Sequence, residues 1–595
     1  MLSPLGSGSR AQRLLPRLEI PQALRALVRA RESGLIVLGA LIGALSGLVV
    51  AAMSHAVMLL HATLFGVEHG ERLSAMRRLD PWIAVTVPTL GGLGFGLALW
   101  ALLRWRPGRE IDPIEANALH GGRMSFRGSL IVALQTVWSS GVGASVGLEA
   151  GYTQLASGVA SWLGQAFRLR RRDLRVLVGC GAAGAIAGAF GAPLAGAFYA
   201  FELVIASYSV ANLAAVGVAA LVGYLVAGVF EQPAFGLGSL FASDIRSTDL
   251  AVAAVVGVAA AGLGIVLMRG VAMCEEFLNW LRIRPVLRPT LGGLIVGAMA
   301  IVTPEILSSG HGALRISTML AGPMSAIILL FVLKSVASII SLGTGFRGGL
   351  FFASLLIGSL GGRLFAEAAT LLWPTGALDP HVYTIVGMGA LSVAVIGGPL
   401  TMTFIALETT GDFWLTTTVL IAIIVAAQVT REGFGYSFAT WRFHLRGESI
   451  RSAADVGWIR ELTVRRMMRA DVRTVPAHTT VSRFRLVFPL GSIVQVVALD
   501  EDKHYAGIVS VAEAHNPELD ETIAVRDILH FTCSALLPTM TVKEAVILFD
   551  KAEAEALAVV EATDNREVIG LLTESYALRR YADELEQRRQ DLLGE

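Results

Sequence analysis

One carboxylate lies between two glycines in a stretch of the chain that is apolar enough for a membrane. Residues 147–151 read Gly-Leu-Glu-Ala-Gly, and an apolar run over residues 152–165 follows them. Glycine lets the backbone approach a small ligand closely, and a helix that begins after these glycines would direct free N–H groups back at Glu149. This pattern indicates an anion site in which Glu149 competes with the anion. The alternative is a carboxylate that reaches water from a helix end or pairs with a nearby arginine.

The composition is that of a polytopic membrane protein. The 595 residues are 54% hydrophobic and 16% charged, and the mean hydropathy is +0.63, whereas soluble proteins carry about 25% charged residues. The 64 glycines suit a membrane domain in which helices pack closely or break. A net charge of +1 without a basic face gives no support for a nucleic-acid partner. The distant Cys180, Cys274 and Cys533 match neither a metal site nor a structural disulfide.

The apolar segments that must position this carboxylate fall into two halves with the same layout. Each half has long spans and then short, glycine-interrupted segments. The apolar segments of the first half are 34–58, 82–103, 130–142, 152–165, 176–190, 194–207 and 211–230. Those of the second half are 250–271, 291–302, 326–342, 350–364, 382–396, 400–407 and 415–429. Many are too short to cross a lipid bilayer straight, which predicts broken or tilted helices whose ends meet near its midplane. The layout therefore indicates an inverted repeat.

The two ends of the chain differ from the apolar region. Residues 1–31 contain six arginines beside the first span, which places this end in the cytoplasm, and no cleavable signal peptide is predicted. After about residue 441 the chain is charged, and segments that start at residues 464, 480 and 507 recur at 525, 541 and 570. Both units alternate strand and helix patterns, such as strands at 493–498 and 557–561 and a helix at 542–550. We expect two small α/β modules packed as a cytoplasmic pair.

Several motifs follow one another between residues 181 and 437. They read Gly-Ala-Ala-Gly from 181, Ala-Pro-Leu-Ala-Gly from 192, Glu at 202, Pro-Glu-Ile-Leu from 304, Gly-His-Gly from 310, Gly-Gly-Leu-Phe from 348, Gly-Met-Gly-Ala from 387, Pro-Leu-Thr from 399, Glu-Thr from 408 and Gly-Tyr-Ser from 435. In this order and spacing they resemble the CLC family of chloride channels and chloride/proton exchangers, over about residues 34–445. The soluble pair is similar to the CBS modules that follow many CLC membrane domains.

The predicted fold is an all-α polytopic membrane domain, a CLC-like inverted repeat of broken and tilted helices, followed by a cytoplasmic α/β CBS pair. Its parts are a cytoplasmic N-terminal segment 1–31, a transmembrane domain 32–447, a linker 448–463, CBS modules 464–520 and 521–588, and a tail 589–595. The resemblance implies a homodimer with one pore in each subunit, which moves chloride or another small anion, with or without protons. It also implies a bacterial inner or plasma membrane, with both termini in the cytoplasm.

The resemblance assigns roles to residues of the first half. Glu149 matches the pore-gating glutamate of the family motif Gly-Lys/Arg-Glu-Gly-Pro, and Gly147, Ala150 and Gly151 are implied to line the anion site. The basic residue, the second glycine and the proline of that motif are absent here, where Leu148 takes the basic position.

The second half supplies the other implied contacts to the anion. Tyr436 matches the family's anion-coordinating tyrosine, whose phenol can donate to an anion. The backbone N–H groups of Leu350 and Phe351 match the family motif Gly-x-Phe-x-Pro and would contact the anion at a helix start. The proline of that motif has become Ala353, which leaves those N–H groups unchanged.

The first motif departs most from the family pattern Gly-Ser-Gly-Ile-Pro. The chain has Arg109-Glu110-Ile111-Asp112-Pro113, so that Glu110 stands where a serine hydroxyl would meet the anion. A second carboxylate beside chloride would repel it by about 4 kcal/mol at 4 Å and an effective dielectric constant of 20. Four alternatives follow: the loop is displaced, Arg109 compensates, Glu110 is protonated, or the site holds another anion.

A second departure concerns protons. Many exchangers of the family carry two adjacent glutamates, of which the second relays protons, whereas this chain has Glu202 followed by Leu203. Since leucine cannot carry a proton, Leu203 favours a channel. The alternative is an exchanger that uses another proton route.

A function of another class is a non-conducting membrane receptor whose CBS pair binds an adenine nucleotide. The ligand positions would be Ser510, Glu513 and Thr573. A ribose-binding aspartate is often found three residues after the Thr/Ser of Gly-x-x-Thr/Ser, where this chain has Glu513 and Tyr576, and Tyr576 argues against binding. The pore itself is expected to need no cofactor, and no nucleophile–base pair or metal cluster in the sequence supports an enzyme.

Overall fold

The structure is a computed structural model, and its description covers most of the chain. The described residues are 32–68, 70–105, 110–230, 245–314, 323–372, 378–435, 437, 441, 462–562 and 566–580. They belong to two compact units, Met1–Asp455 and Val456–Glu595, which divide inside the predicted linker 448–463. The predicted N-terminal segment, Arg109, Tyr436 and the tail lie outside the described residues.

The first half of the membrane unit alternates long and short helices. Its helices are α1 (Glu32–Phe65), α2 (Pro81–Trp105), α3 (Pro113–Leu119), α4 (Phe126–Gly141), α5 (Glu149–Ala166), α6 (Arg171–Phe190), α7 (Pro193–Tyr199) and α8 (Val210–Phe230). A π-helical turn, Ala200–Ile205, continues α7. Asp112 begins α3 by accepting a hydrogen bond from the N–H of Glu115, and Ser125 begins α4 by accepting one from the N–H of Gly128.

The second half repeats this alternation. Its helices are α9 (Ser247–Trp280), α10 (Arg288–Val302), α11 (Met324–Gly343), α12 (Phe351–Leu372), α13 (Pro380–Ile396), α14 (Pro399–Thr410) and α15 (Phe413–Gly433). Nine of the described helices are long and apolar enough to cross a membrane. They include α6 and α12, so the expectation of short segments at 176–190 and 350–364 is wrong. The apolar run underestimates each helix because the helix continues through polar and charged residues at its ends.

The two halves contain the same substructure, which runs through α4–α7 and α11–α14. Residues 193–202 and 399–408 share the pattern Pro-Leu-x-x-x-Phe-x-Ala-x-Glu. Helix α6 ends at Gly191 (φ +68°) and α13 ends at Gly397 (φ +87°), in the left-handed region that glycine tolerates. Proline then occupies the first turn of the following helix in both halves.

Each half also supplies a carboxylate that accepts hydrogen bonds from free N–H groups at a helix start of the other half. Glu202 accepts hydrogen bonds from the N–H groups of Leu400 (2.8 Å) and Thr401 (2.9 Å) at the start of α14. Glu408 accepts from the N–H groups of Leu194 (2.8 Å) and Ala195 (2.9 Å) at the start of α7. Negative charge is favourable at a helix N-terminus, where N–H groups lack partners within the helix. The two carboxylates therefore tie the halves together.

Glycines bring the membrane helices into backbone contact. A methyl group added at Gly43 would lie 2.3 Å from the carbonyl oxygen of Ala219, and one at Gly293 would lie 2.0 Å from that of Pro88. The corresponding distance from Gly362 to the carbonyl oxygen of Tyr383 is 1.9 Å. Alanine at these positions would push the helices apart, which explains the high glycine content predicted to serve close packing.

The soluble unit contains two small sheets. Its elements are α16 (Val464–Met467), β1 (Thr474–Pro476), α17 (Val481–Val487), β2 (Gln495–Leu499), β3 (Tyr505–Ser510), α18 (Val511–Ala514), α19 (Val542–Ala552), β4 (Ala556–Val560) and β5 (Val568–Thr573). Strand β2 pairs with β1 in parallel and with β3 antiparallel, and β4 pairs antiparallel with β5. The strands predicted at 493–498 and 557–561 are β2 and β4, and the helix predicted at 542–550 is α19.

Candidate functional site

Two glycine-rich loops, one from each half, meet inside the membrane unit. The N–H of Gly147 donates to the carbonyl oxygen of Gly349 (2.9 Å), and the N–H of Gly349 donates to that of Gly147 (3.1 Å). The first loop leads into α5 at Glu149, and the second leads into α12 at Phe351. The start of each helix presents partial positive charge, so two such ends converge at the junction of the loops.

Glu149 lies at this junction. Its side chain is 4% exposed, and neither carboxylate oxygen has a hydrogen-bond partner among the described residues. The backbone N–H groups of Glu149 itself and of Phe352 interact electrostatically with the carboxylate. A methyl group added at Gly147 would lie 1.9 Å from Oε2, and one added at Gly349 would lie 3.4 Å from it. A buried, unpaired carboxylate is costly when charged, and it occupies a place that would suit a small anion.

The start of α5 corrects part of the predicted site. The sequence predicts a helix that begins after Gly151, whereas α5 begins at Glu149. The N–H of Gly151 donates to the carbonyl oxygen of Leu148 (2.9 Å), and that of Gly147 is used by Gly349. These two N–H groups therefore donate within the backbone, and an anion contact at Gly147 or Gly151 stays a prediction. Ala150 still lines the site.

A cavity of about 160 Å³ extends from the two loops to the first-motif loop. One water molecule needs only about 10–15 Å³ of such space, so this cavity accommodates a partly hydrated small anion. The lining includes Leu350 and Phe351 at the start of α12, as predicted for the anion site. Its polar side chains belong to Glu110, Asp112, Glu149, Thr153, Gln154, Tyr199 and Arg347.

Three residues of the first motif, Glu110, Asp112 and Pro113, line this cavity. A methyl group added at Gly128 would lie 1.5 Å from Oε2 of Glu110, which places that carboxylate against the first turn of α4. Asp112 and Pro113 begin α3, and the carbonyl oxygen of Ile111 accepts from Nε2 of Gln154 (2.8 Å). Because negative charge is favourable at a helix start, α4 is suited to hold Glu110 beside this cavity.

Leu203 lines the same cavity from the π-helical turn that follows α7. Its neighbour Glu202 instead contacts the start of α14. The position predicted for a proton relay thus faces this cavity, and it carries an aliphatic side chain.

Three side chains near the loops were not predicted to take part. Arg347 lies in the second loop and lines the cavity together with Glu149, and Tyr199 contributes a phenol. Lys334 is fully buried and donates to the carbonyl oxygens of Ile306 (3.0 Å) and Ser308 (2.8 Å). A lone basic residue within an apolar run is a sequence signal for function, and it marks Arg347 and Lys334. Nothing in the sequence distinguishes Tyr199 from an aromatic residue at the membrane surface.

The predicted nucleotide positions lie in the soluble unit. Ser510 ends β3, Glu513 lies in α18, and Thr573 ends β5. Oε2 of Glu513 is 2.6 Å from Nε2 of His530, and both side chains are 46% exposed. Glu513 is therefore engaged by a histidine of its own unit.

Comparison with known proteins covers both units. The family model for the voltage gated chloride channel matches residues 94–431, and the model for the CBS domain matches residues 525–583. The voltage-gated ClC-type chloride channel ClcB of Escherichia coli (strain SMS-3-5 / SECEC) is 30% identical over 401 residues, which cover 67% of this chain and 95% of the relative.

Solved structures of the family have the same fold as the membrane unit. A slow cyanobacterial Cl-/H+ antiporter superposes with a TM-score of 0.60 at 21% identity, over 69% of this chain and 97% of the other. A eukaryotic CLC transporter gives 0.59 at 18% identity, over 93% and 98%. A CLC-type fluoride/proton antiporter gives 0.56 at 20% identity, over 67% and 96%.

These matches confirm the predicted fold class. They agree with the apolar helices of the membrane unit and with the small sheets of the soluble unit. The chain is an integral, multi-pass membrane protein with a C-terminal CBS domain, and it belongs to the CLC family of chloride channels and anion transporters.

Proposed function

We propose that this protein is a chloride channel in which Glu149 is the gate. The observation that carries the proposal is the carboxylate of Glu149, which is buried without a hydrogen-bond partner among the described residues where two helix starts converge. The charged carboxylate holds the place that an anion would take. Protonation, or displacement by an anion, moves the side chain away and opens the path.

The helix starts around this place attract an anion through partial charges. Partial charges bind an anion more weakly than a full positive charge would, so the anion can leave again, as conduction requires. Leu350 and Phe351 at the start of α12 are the proposed backbone contacts, together with Ala150. Tyr436, outside the described residues, is the proposed phenol donor.

The choice of a channel rests on Leu203, which lines the cavity and cannot relay a proton. The name of the Escherichia coli relative is that of a chloride channel. The titles of two structural relatives describe chloride/proton and fluoride/proton antiporters. Two alternatives to a chloride channel therefore remain for the tests to distinguish. One is an antiporter with another proton route, and the other is a pore for another anion beside Glu110.

We further propose that two copies form a homodimer in a bacterial inner or plasma membrane, with one pore in each copy and both termini in the cytoplasm. Large apolar side chains on α7, α14 and α15 are exposed, including Leu194, Leu400 and Trp414. Such a surface suits lipid or a second copy of the chain. The pore needs no cofactor in this proposal, and a nucleotide at the CBS pair would act as a regulator.

The test is chloride flux from vesicles that contain the purified protein, at two pH values. Flux through the unmodified protein should rise as the pH falls, because protonation releases the gate. Glu149→Gln and Glu149→Ala should raise flux at neutral pH by about tenfold, which corresponds to removing about 1.4 kcal/mol of barrier, and should abolish its pH dependence. Glu367→Gln removes a carboxylate that pairs with Arg363 elsewhere on α12 and is the control.

Unchanged pH dependence in both Glu149 variants would contradict the gate. Proton movement against its gradient, driven by chloride, would identify an antiporter instead of a channel. A protein that moves no anion, but whose melting temperature rises with an adenine nucleotide, would support the receptor alternative.

A further inference from the structure

A second, smaller void lies beside the start of α5. Its volume is about 30 Å³, which is room for one water molecule or one small monatomic anion. Leu148 and Tyr152 line this void, whereas Glu149, between them in the chain, lines the larger cavity. The first turn of α5 therefore stands between the two spaces.

The lining of this void is basic and rich in hydroxyl groups. None of its described lining residues is acidic, and its polar members are Ser54, His61, Arg72, Ser74, Tyr152, Ser308, Ser309 and His311. Arg72 supplies a charge that persists at every physiological pH, and it offers several N–H donors. Lys334 adds a second basic group behind this lining, because it donates to the carbonyl oxygen of Ser308 (2.8 Å). These are properties of a site for an anion.

One wall of the void is held in a strained conformation. Ser308 has φ +56°, in the left-handed region that a residue with a side chain seldom adopts, and it is 4% exposed. Its hydroxyl bonds that of Ser140 (2.8 Å), its N–H donates to Gly143 (3.3 Å), and its carbonyl oxygen accepts from Lys334 (2.8 Å). Such strain persists only where the surroundings enforce it, and it is concentrated at ligand sites.

We propose that this void is an outer binding site for one small anion of halide size, with Arg72 as its fixed positive charge. The inference rests on the proposed function, in which residues 1–31 are cytoplasmic. Helix α1 then carries the chain across the membrane, and residues 70–80, which include Arg72, face the outside. An anion held there waits beside Leu148, on the outer side of the gate. Arg72 supplies the charge that Leu148 lacks.

The first experiment measures chloride flux into vesicles as a function of external chloride. Arg72→Gln should raise the half-saturating external concentration by about tenfold, since it removes a charged hydrogen-bond donor, while Arg72→Lys should keep it within about twofold of the unmodified protein. Arg78→Gln removes the same charge from an exposed position in the same loop, outside the void, and should change little. Equal effects of Arg72→Gln and Arg78→Gln would reduce Arg72 to a surface charge and overturn the proposal.

The second experiment locates bromide by anomalous scattering in crystals of the full chain. Bromide should occupy the void in the unmodified protein and be absent from it in Arg72→Gln. Water alone in the void, or bromide that persists in Arg72→Gln, would overturn the proposal. This readout does not depend on transport, so a protein that fails to move chloride but binds bromide there would refute only the proposed function.

Discussion

The two glycine loops have similar backbones and opposite charges. The loop of the first half leads to Glu149, and the loop of the second half carries Arg347, while Gly147 and Gly349 join them by two hydrogen bonds. Both charged side chains line one cavity. A repeated backbone has thus placed an acid and a base around a single path, and each half contributes a function that the other lacks.

This difference shows how two halves with the same layout can carry an asymmetric distribution of charged side chains. The helix starts supply similar partial charges from both halves, so they cannot by themselves distinguish a gate from a binding surface. In the proposed function the side chains make that distinction, because Glu149 would compete with an anion whereas Arg347 would attract it. Variants in the two loops should therefore have effects of opposite sign.

The largest effect is expected at Arg347. Arg347→Gln should lower chloride flux from vesicles by about tenfold, because a charged partner of the anion is lost, whereas Glu149→Ala should raise flux. Arg363→Gln, on α12, removes an arginine that pairs with Glu367 and should leave flux unchanged. An increase in flux in Arg347→Gln would mean that Arg347 restrains the path, and the contrast between the loops would fail.

A proton route can be tested at Leu203. Leu203→Glu places a carboxylate at the edge of the cavity and should allow a chloride gradient to drive protons, which a pH-sensitive dye inside the vesicles would detect. Leu203→Gln has nearly the same size without the titratable group and should move no protons. Proton movement already present in the unmodified protein would show that a route independent of Leu203 exists.

The paired glycines allow a smaller and matched comparison. Alanine at Gly147 would place a methyl group 1.9 Å from Oε2 of Glu149, so the flexible carboxylate must move, whereas alanine at Gly349 would place it at 3.4 Å, an ordinary contact. Gly147→Ala should therefore raise flux at neutral pH several-fold, in the direction of Glu149→Ala, and Gly349→Ala should have little effect. The same flux from both variants would show that the gate is not held against Gly147.

The smallest effect is expected at Glu202 and Glu408, whose carboxylates each accept hydrogen bonds at a helix start of the opposite half. Glu202→Ala and Glu408→Ala should each destabilise the membrane unit by about 1–2 kcal/mol, since each removes a cap from a helix start. The loss should be greater for Glu202, which also accepts from the hydroxyl of Thr401 (2.6 Å). Thermal melting in detergent would measure both, and an unchanged midpoint would show that the two caps do not stabilise the fold.

Much of the fold could be predicted from the sequence, because hydropathy indicates which segments lie in the bilayer. Long apolar runs identify helices such as α1 and α9, and the glycines at 147 and 349 mark the loops. The exact start of α5 was not predictable, since glycine and alanine in the first turn permit either a loop or a helix. The pairing of Gly147 with Gly349 settles it, because it fixes the loop up to Leu148 and leaves Glu149 to begin the helix.

The residues around Glu149 were harder to predict than Glu149 itself. Glu110 differs from the family serine, and only the packing of its carboxylate against Gly128 shows where the charge lies. Arg72 and Lys334 lie far apart in sequence, in a loop and in a membrane helix, and no local pattern connects them. Their positions relative to one another depend on how several helices pack, which periodicity within one segment cannot report.

The sequence by itself determined that the chain enters a bilayer, that its membrane part has two halves, and that an acid follows a glycine loop, since composition and local spacing control these features. Only the tertiary structure decided which charges share a space. Glu149 and Arg347 come together because the two loops pair, and Glu202 and Glu408 come together with helix starts from the opposite halves. The physical reason is that electrostatic interaction depends on distance in space, and folding alone sets that distance for residues of different halves.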